Sequence, residues 1–366
     1  MDAPQRILII RPSALGDVCR TVPVAVSLRA RYPAARIDWL VQAEFADAVR
    51  HHPAVTNVVE FHRKGMTRGS FLGLGGWRNL GALVRMLRGP KYDLVVDCQG
   101  LARSGLFALI TGSRDRVGYA NAEEFAAWAY TRRVDAPRDW HTVDRMVALV
   151  GALGVDPVRD LRLYTSENDR AAVPEALRGK RYAVVAPSSR WAAKRWPGDR
   201  FATVVEALLR SGAVDAVAVV ASGSERDQCA PVLAMGDGRI VDLVGKTTVG
   251  GLMAVIEGSA IVIANDSAAM HMAVGFDRPL VGLFGPTRID LVGPYGRAAD
   301  VIQARAPEEG VTHKRDAHAS LMAQISVDRV VEAALARLGA GAGRIGSGHD
   351  HGQPPHPSRE RLSSQA

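Results

Sequence analysis

Short apolar, β-branched runs alternate along this chain with longer stretches of helical period. Residues 6–10 form such a run, which ends in the loop Pro12-Ser13-Ala14-Leu15-Gly16-Asp17 before a helical pattern over 18–31. Further strands are predicted at 36–41, 57–61, 92–97 and 116–118, with a helix at 77–87. Strands alternating with helices build a parallel sheet covered on both faces. The polar, proline-bearing stretch 165–174 has no strand period and reads as a linker. Beyond it the pattern restarts, with strands at 182–186, 214–221, 240–243, 260–265 and 279–284 and helices at 201–211, 250–258 and 268–275. The expected fold class is α/β: two doubly wound, Rossmann-like domains, residues 1–170 and 171–338, facing each other. Ligands in such folds gather at the carboxyl ends of the strands, here in the cleft between the halves.

Residues 327–338 read as a final amphipathic helix. The tail beyond it, 339–366, is rich in Gly, Ser, Pro and His, has almost nothing to bury and is expected to be disordered. His349, His351 and His356 within it could hold a metal ion, but a solvated tail without function is the reading composition favours. A length of 366 residues fits two cores better than one. No apolar run is long enough to span a bilayer, and the short stretch 7–10 runs at once into Arg11, unlike a secretion signal. A cytoplasmic protein is expected. Cys19, Cys98 and Cys229 lie far apart, without metal-site or disulfide spacing, and read as reduced and structural.

A net charge of +8 favours polyanionic partners: nucleic acid, an anionic membrane surface or phosphorylated substrates. Nucleic acid is disfavoured, because zinc-finger spacing, an aromatic ribonucleoprotein signature and a long basic run are all absent.

Candidate chemistry sits at the strand ends. Gly16 permits close approach of a substrate. Asp17 has two readings: an N-cap for the following helix, or a general base aimed into the cleft. Replacing a base should cost turnover and spare the fold, whereas replacing a cap should cost stability and activity together. Ser188 and Ser189, followed by Lys194-Arg195-Trp196-Pro197, supply the donors a diphosphate needs as its charge builds, although a solvated loop gives the same letters. Asn265-Asp266-Ser267-Ala268-Ala269-Met270-His271 runs from a buried strand into a helix whose free amides form an anion site; an ordinary capped helix is the rival. His271 reads as a satisfied, semi-buried histidine before it reads as a catalyst. Gly223 with Glu225, Lys246, and Gly285-Pro286-Thr287 end the neighbouring strands.

Together these residues resemble glycosyltransferase family 9, the heptosyltransferases of lipopolysaccharide core assembly, over roughly residues 5–338. The most specific parts are Arg11-Pro12-Ser13-Ala14-Leu15-Gly16-Asp17, Lys194-Arg195-Trp196-Pro197, Asn265-Asp266-Ser267-Ala268-Ala269-Met270-His271 and Gly285-Pro286-Thr287. The resemblance implies a GT-B fold, an acceptor-binding N-terminal domain, a nucleotide-binding C-terminal domain, and inversion at the anomeric carbon without a metal or cofactor. It implies ADP-heptose as donor and Kdo-lipid A or another inner-core precursor as acceptor, met at the cytoplasmic face of an anionic inner membrane. Asp17 then matches the general base, which favours that reading over the cap. Lys194, Ser188 and Ser189 match donor-phosphate contacts, Glu225 a ribose contact, Asp266 a heptose contact, Lys246 a residue near adenine, and Ser267, Ala268 and His271 the diphosphate loop. Arg63 and Lys64 resemble a basic pair that meets acceptor phosphates, and Ser13, Gly16 and Gln99 belong to the acceptor side. The family commonly has glycine where this chain has Ala268. Asp97-Cys98-Gln99-Gly100-Leu101 and Gly293-Pro294-Tyr295-Gly296 look like the heptosyltransferase I branch, whereas Lys194-Arg195-Trp196-Pro197 and Asn265-Asp266-Ser267 look like heptosyltransferase II; the first branch is taken as nearer.

Two rivals remain: a transferase of the same fold with another donor or acceptor, and a silent module that holds anionic glycolipid. Asp17 beside Lys194 speaks against the second, since a silent module needs neither base nor phosphate clamp. The helix at 77–87, with Arg78, Arg85 and Arg88, could rest on a membrane, but packing on the sheet is favoured, with its arginines available to acceptor phosphates.

Overall fold

The computed structural model describes residues 3–62, 74–304 and 321–341. Arg63, Lys64 and the tail from residue 342 on lie outside the described residues.

Among the described residues, twelve strands form two parallel six-stranded sheets. The first holds β1 (Arg6–Ile10), β2 (Arg36–Gln42), β3 (Asn57–Phe61), β4 (Leu94–Asp97), β5 (Asp115–Tyr119) and β6 (Arg132–Val134), in the order β3-β2-β1-β4-β5-β6. The second holds β7 (Tyr182–Ala186), β8 (Ala216–Val219), β9 (Ile240–Asp242), β10 (Ile261–Asn265), β11 (Leu280–Phe284) and β12 (Val301–Gln303), in the order β12-β11-β10-β7-β8-β9. Read from its own first strand, the second sheet repeats the order of the first, the doubly wound arrangement with a switch point beside β1 and beside β7. Central strands are continuous apolar runs because both faces are covered; β10 and β11 are buried at every position, whereas the edge strands β9 and β12 are short and half-exposed.

The first half carries helices α1 (Leu15–Arg31), α2 (Asp47–Arg50), α3 (Leu74–Arg88), α4 (Ala102–Ile110) and α5 (Thr142–Gly151). The second carries α6 (Glu167–Ala171), α7 (Gly198–Arg210), α8 (Arg226–Leu233), α9 (Val249–Glu257), α10 (Ala268–Gly275), α11 (Ile289–Val292) and α12 (Val327–Gly341). None of the described helices is long and apolar enough to cross a membrane.

Alternation along the strands sorts the core into layers. In β1, Leu8 and Ile10 face α3 and α4, in a cluster with Leu83, Leu87 and Phe107. Ile7 and Ile9 face the other way and join Val184, Ala186, Val262 and Ala264 of the second sheet in one contiguous cluster. The inner layers of the two halves therefore fuse, with α1 packed on α10 and α2 on α9. Burying that shared apolar surface fixes the position of one set of strand ends against the other.

The structure departs from the sequence pattern at several elements. The stretch 165–174 contains α6, because Ser166 caps it: its hydroxyl accepts from Asp169 N at 3.1 Å and its own amide donates to Asp169 Oδ2 at 2.9 Å. The strands β6 and β12 have three residues each and are too short to show a period. The last helix runs three residues beyond Leu338, to Gly341, so the expected tail at 339–366 begins too early. The helix predicted at 77–87 covers the sheet through Leu83 and Leu87, in keeping with packing.

Candidate active site

β1 ends beside β4, with Ile10 in register with Asp97, and the next residues turn out of the sheet toward the second half. Helix α1 begins with Ala14 as its N-cap residue, in extended conformation, and Asp17 stands at the third helical position. Asp17 is therefore not the N-cap; its Oδ2 reaches back to Ala14 N at 3.4 Å, a long contact that contributes little.

Two guanidinium groups hold the Asp17 carboxylate. Arg11 Nη2 lies 2.8 Å from Oδ2, and Arg20 Nη2 donates to Oδ1. Both arginines are buried, while the Asp17 side chain keeps a quarter of its surface exposed. Burial alone would push its pKa up; the charges of Arg11 and Arg20 outweigh it and hold the carboxyl well below the usual range. Asp17 is thus an anion at every ordinary pH, with part of its surface still open to solvent. Arg11 also donates to Cys98 O, and Arg20 Nη1 donates to Val292 O of the second half at 3.0 Å.

Across the seam, β10 ends in Asn265, which is fully buried and organises the facing loops. Its Nδ2 donates to Pro187 O at 2.6 Å, and its Oδ1 accepts from Trp196 N at 3.2 Å. One side chain thereby fixes the Ser188-Ser189 turn after β7 and the segment that presents Lys194. Lys194 Nζ meets Asp266 Oδ2 at 2.6 Å, and both side chains are largely buried. Ser267 is the N-cap residue of α10, yet no side chain caps that helix, and the Ser267 hydroxyl is buried without a partner, as is that of Thr287 after β11. Uncapped amides, an ammonium and the idle Ser267 hydroxyl at this helix start form a place for an anion.

The halves touch where Gly16 meets α10. A Cβ on Gly16 would lie 2.8 Å from His271 Cδ2 and 3.5 Å from Ala268 Cα. His271 is buried, and burial with the nearby Arg20 holds it well below the usual imidazole range, so its ring is neutral. Farther along the second sheet, Ser188 Oγ donates to Glu225 Oε2 at 3.1 Å and Ser189 N to Gln228 Oε1 at 3.0 Å. The loops of Gly223 and Gly245 then touch, and beside them Lys246 is exposed, paired with Asp242 at 2.8 Å.

Predicted site residues thus form a row of linked contacts: Asp17 and Gly16, then His271 and Ala268, then Ser267, Asp266 and Lys194, then Ser188, Ser189 and Glu225, with Lys246 at the far end. Ser13 lies half-buried in the loop before α1, and Gln99 follows β4 with its Oε1 buried and unpartnered. Arg11, Arg20 and Asn265 were not singled out from sequence as acting on the site. A signal existed for Arg20, three residues after Asp17 on a helix, where opposite charges meet. The three cysteines are free and buried, and burial pushes Cys19 up to about 12 and Cys229 to about 11, so these thiols are inert. No group of His, Cys, Asp and Glu among the described residues is arranged to hold a metal ion.

Known proteins resemble this chain in sequence and fold. The chain is 27% identical over 298 residues to lipopolysaccharide heptosyltransferase 1 of Pseudomonas aeruginosa, covering 80% of this chain and 82% of that protein. It is 28% identical over 316 residues to lipopolysaccharide heptosyltransferase 2 of Escherichia coli K12, covering 81% and 88%. The solved structure of E. coli ADP-heptose lipopolysaccharide heptosyltransferase II superposes with a TM-score of 0.75 at 22% identity, covering 92% of this chain and all of that one, which shows the shared GT-B fold. The model of glycosyltransferase family 9 (heptosyltransferase) matches residues 80–321, from α3 to the segment before α12, and the chain belongs to that family.

Proposed function

We propose that this protein transfers a heptosyl group from ADP-heptose to the Kdo region of an inner-core lipopolysaccharide precursor, with inversion at the anomeric carbon and without a metal ion. The observation that carries the reading is the join of Gly16 to His271, which sets an ionised, partly open carboxylate on one side of the seam beside an ammonium and an uncapped helix start on the other. The donor preference rests on family membership and on the ADP-heptose named for the E. coli relative.

In this mechanism the diphosphate lies against the α10 amides, Ser267, Ser188, Ser189 and Lys194, while Asp266 meets the heptose hydroxyls. Glu225 takes the ribose hydroxyls, and Lys246 lies toward the adenine. An acceptor hydroxyl oxygen attacks the anomeric carbon as the bond to the diphosphate breaks. The electron pair leaves with ADP, whose growing charge Lys194 and the helix start stabilise. The hydroxyl proton passes to Asp17. Arg11 and Arg20 make Asp17 a weak base, so transfer is favoured late, once the attacking oxygen has become acidic. Ser13, Gly16 and Gln99, with Arg63 and Lys64, belong to the acceptor side.

Kdo-lipid A as acceptor rests on the 97–101 and 293–296 segments, because relatives of both branches match at nearly equal identity. The test is turnover of ADP-heptose by the full chain with Kdo-lipid A or with its mono-heptosylated product, in buffer and in excess chelator, scored by mass. Addition of one heptose to Kdo-lipid A, unchanged by chelator, is expected. Addition only to the heptosylated acceptor would reassign the branch, and loss in chelator would end the metal-free reading.

A further inference from the structure

The outward face of the first half carries large apolar side chains that the active site does not use. Phe125 and Trp128 are 84% and 81% exposed, and Leu106 and Leu109 on α4 are about half exposed. The turn that carries the two aromatics is firmly seated. Ala126 is buried against Gly105 of α4, where a Cβ would come within 3.2 Å of Ala126 O. Tyr130 lies over Gly118, and its hydroxyl donates to Asp97 Oδ2 at 2.7 Å. Glu124 Oε2 accepts from Ala102 N, at the start of α4, at 3.1 Å. Between these anchors Glu124 and Phe125 adopt φ of 52° and 63°, a region that bulky residues avoid. The fold thus holds a phenylalanine in water at a cost in backbone strain, although the same turn has buried neighbours.

Cations lie on the same and adjoining elements. Arg103 precedes Leu106 by one turn on α4, and Arg133 donates to Ala127 O at 3.0 Å. Arg85 and Arg88 are exposed on the adjoining α3, with Arg88 Nε donating to Ile110 O at 3.1 Å. Glu123 and Glu124 are the facing acids, and Glu124 is engaged with the start of α4. The turn leaves the carboxyl end of β5 and descends to the start of β6. Glu124 joins the start of α4, which sets Phe125 near the rim from which Asp17 rises. Trp128 lies farther down the flank, next to Ala129, whose carbonyl accepts from Arg116 Nε at the start of β5 at 2.6 Å.

We propose that this face, with Phe125 and Trp128 as its leading side chains, docks on an anionic phospholipid bilayer. Aromatic rings favour the headgroup boundary, arginines pair with lipid phosphates, and aliphatic tips such as Leu106 enter the acyl edge. Docking on this flank leaves the rim with Asp17 beside the bilayer, within reach of sugars that protrude from it. The choice of a lipid-linked acceptor rests on the proposed function; the docking face stands on exposure, seating and charge.

The test is sedimentation of the full chain with vesicles of phosphatidylglycerol and phosphatidylethanolamine, or of phosphatidylcholine alone, without donor or acceptor. Strong binding to the anionic vesicles only is expected, weakened about tenfold or more by combined Phe125→Ser and Trp128→Ser, and about as much by Arg103→Glu at low salt. Thermal melting and turnover on a de-acylated, water-soluble acceptor stay at wild-type values, because these side chains are exposed and away from the site. Unchanged vesicle binding by the aromatic double variant overturns the proposal, as does equal binding to neutral vesicles. A wild-type dimer that this variant dissociates, with vesicle binding intact, assigns the face to a second copy instead. Because binding is read without turnover, failure of heptosyl transfer leaves this result independent.

Discussion

Gly16 of α1 and His271 of α10 are in contact across the seam, so close that a Cβ on Gly16 would stand 2.8 Å from His271 Cδ2. The ring is buried and cannot swing away freely. Gly16→Ala is expected to cost about 1–3 kcal/mol, the usual range for overpacking, and to weaken ADP binding by displacing the start of α10. Urea unfolding beside calorimetric titration of ADP reads both; wild-type values in both would show that the seam is slack.

Asp17→Asn is expected to lower kcat by about a hundredfold or more while leaving ADP affinity near wild type. The double clamp changes what this variant does to the fold. Removing the carboxylate leaves Arg11 and Arg20 buried without their shared anion, so stability falls as well. Loss of stability alone therefore no longer identifies a cap. Arg20→Met separates the roles: it relieves one clamp and raises the Asp17 pKa. The base reading predicts that the acid limb of its kcat profile moves upward in pH; a purely structural carboxylate leaves the profile in place.

Lys194→Ala is expected to lower kcat/KM by roughly two to three orders of magnitude, with part of the loss seen in ADP binding. The variant also leaves Asp266, which is 9% exposed, as an unpaired, largely buried anion. Adding Asp266→Asn should restore melting temperature and some ADP affinity without restoring turnover. Full activity in Lys194→Ala would remove the lysine from the donor site.

His52 is buried near the junction, edge-on to Tyr164 with ring centroids 5.0 Å apart, and burial lowers its pKa from 6.5 to about 4. The unfolded chain binds this proton more readily than the folded one. Stability is therefore full above about pH 6.5 and falls as pH drops toward 4. His52→Gln should flatten that slope, measured by urea unfolding at several pH values; an unchanged slope would place the acid sensitivity elsewhere.

Much of the fold was legible because it is local. A parallel strand covered on both faces must be a short apolar run, and the helices between strands carry their own period, so the alternation appears in the letters. Strand-end loops were legible for the same reason, which is why the stretches holding Asp17, Lys194 and Asp266 stood out. The helix α6 was missed because five residues show no period, and its capping pair, Ser166 and Asp169, was the only signal.

The sequence by itself determined the two doubly wound halves, the segments that form their facing strand ends, and the residue types gathered there. Only the tertiary structure decided what those residues do to one another. Arg20 reaches Val292 across 272 positions of chain while holding Asp17, and Asn265 ties two loops that precede it. The position of Asp17 at the third residue of α1, the neutrality of His271 and the outward hold on Phe125 follow from such contacts. The physical reason is range: backbone propensity and side-chain period act over a few residues, whereas burial, charge pairing and desolvation depend on which distant segments the closed core brings together.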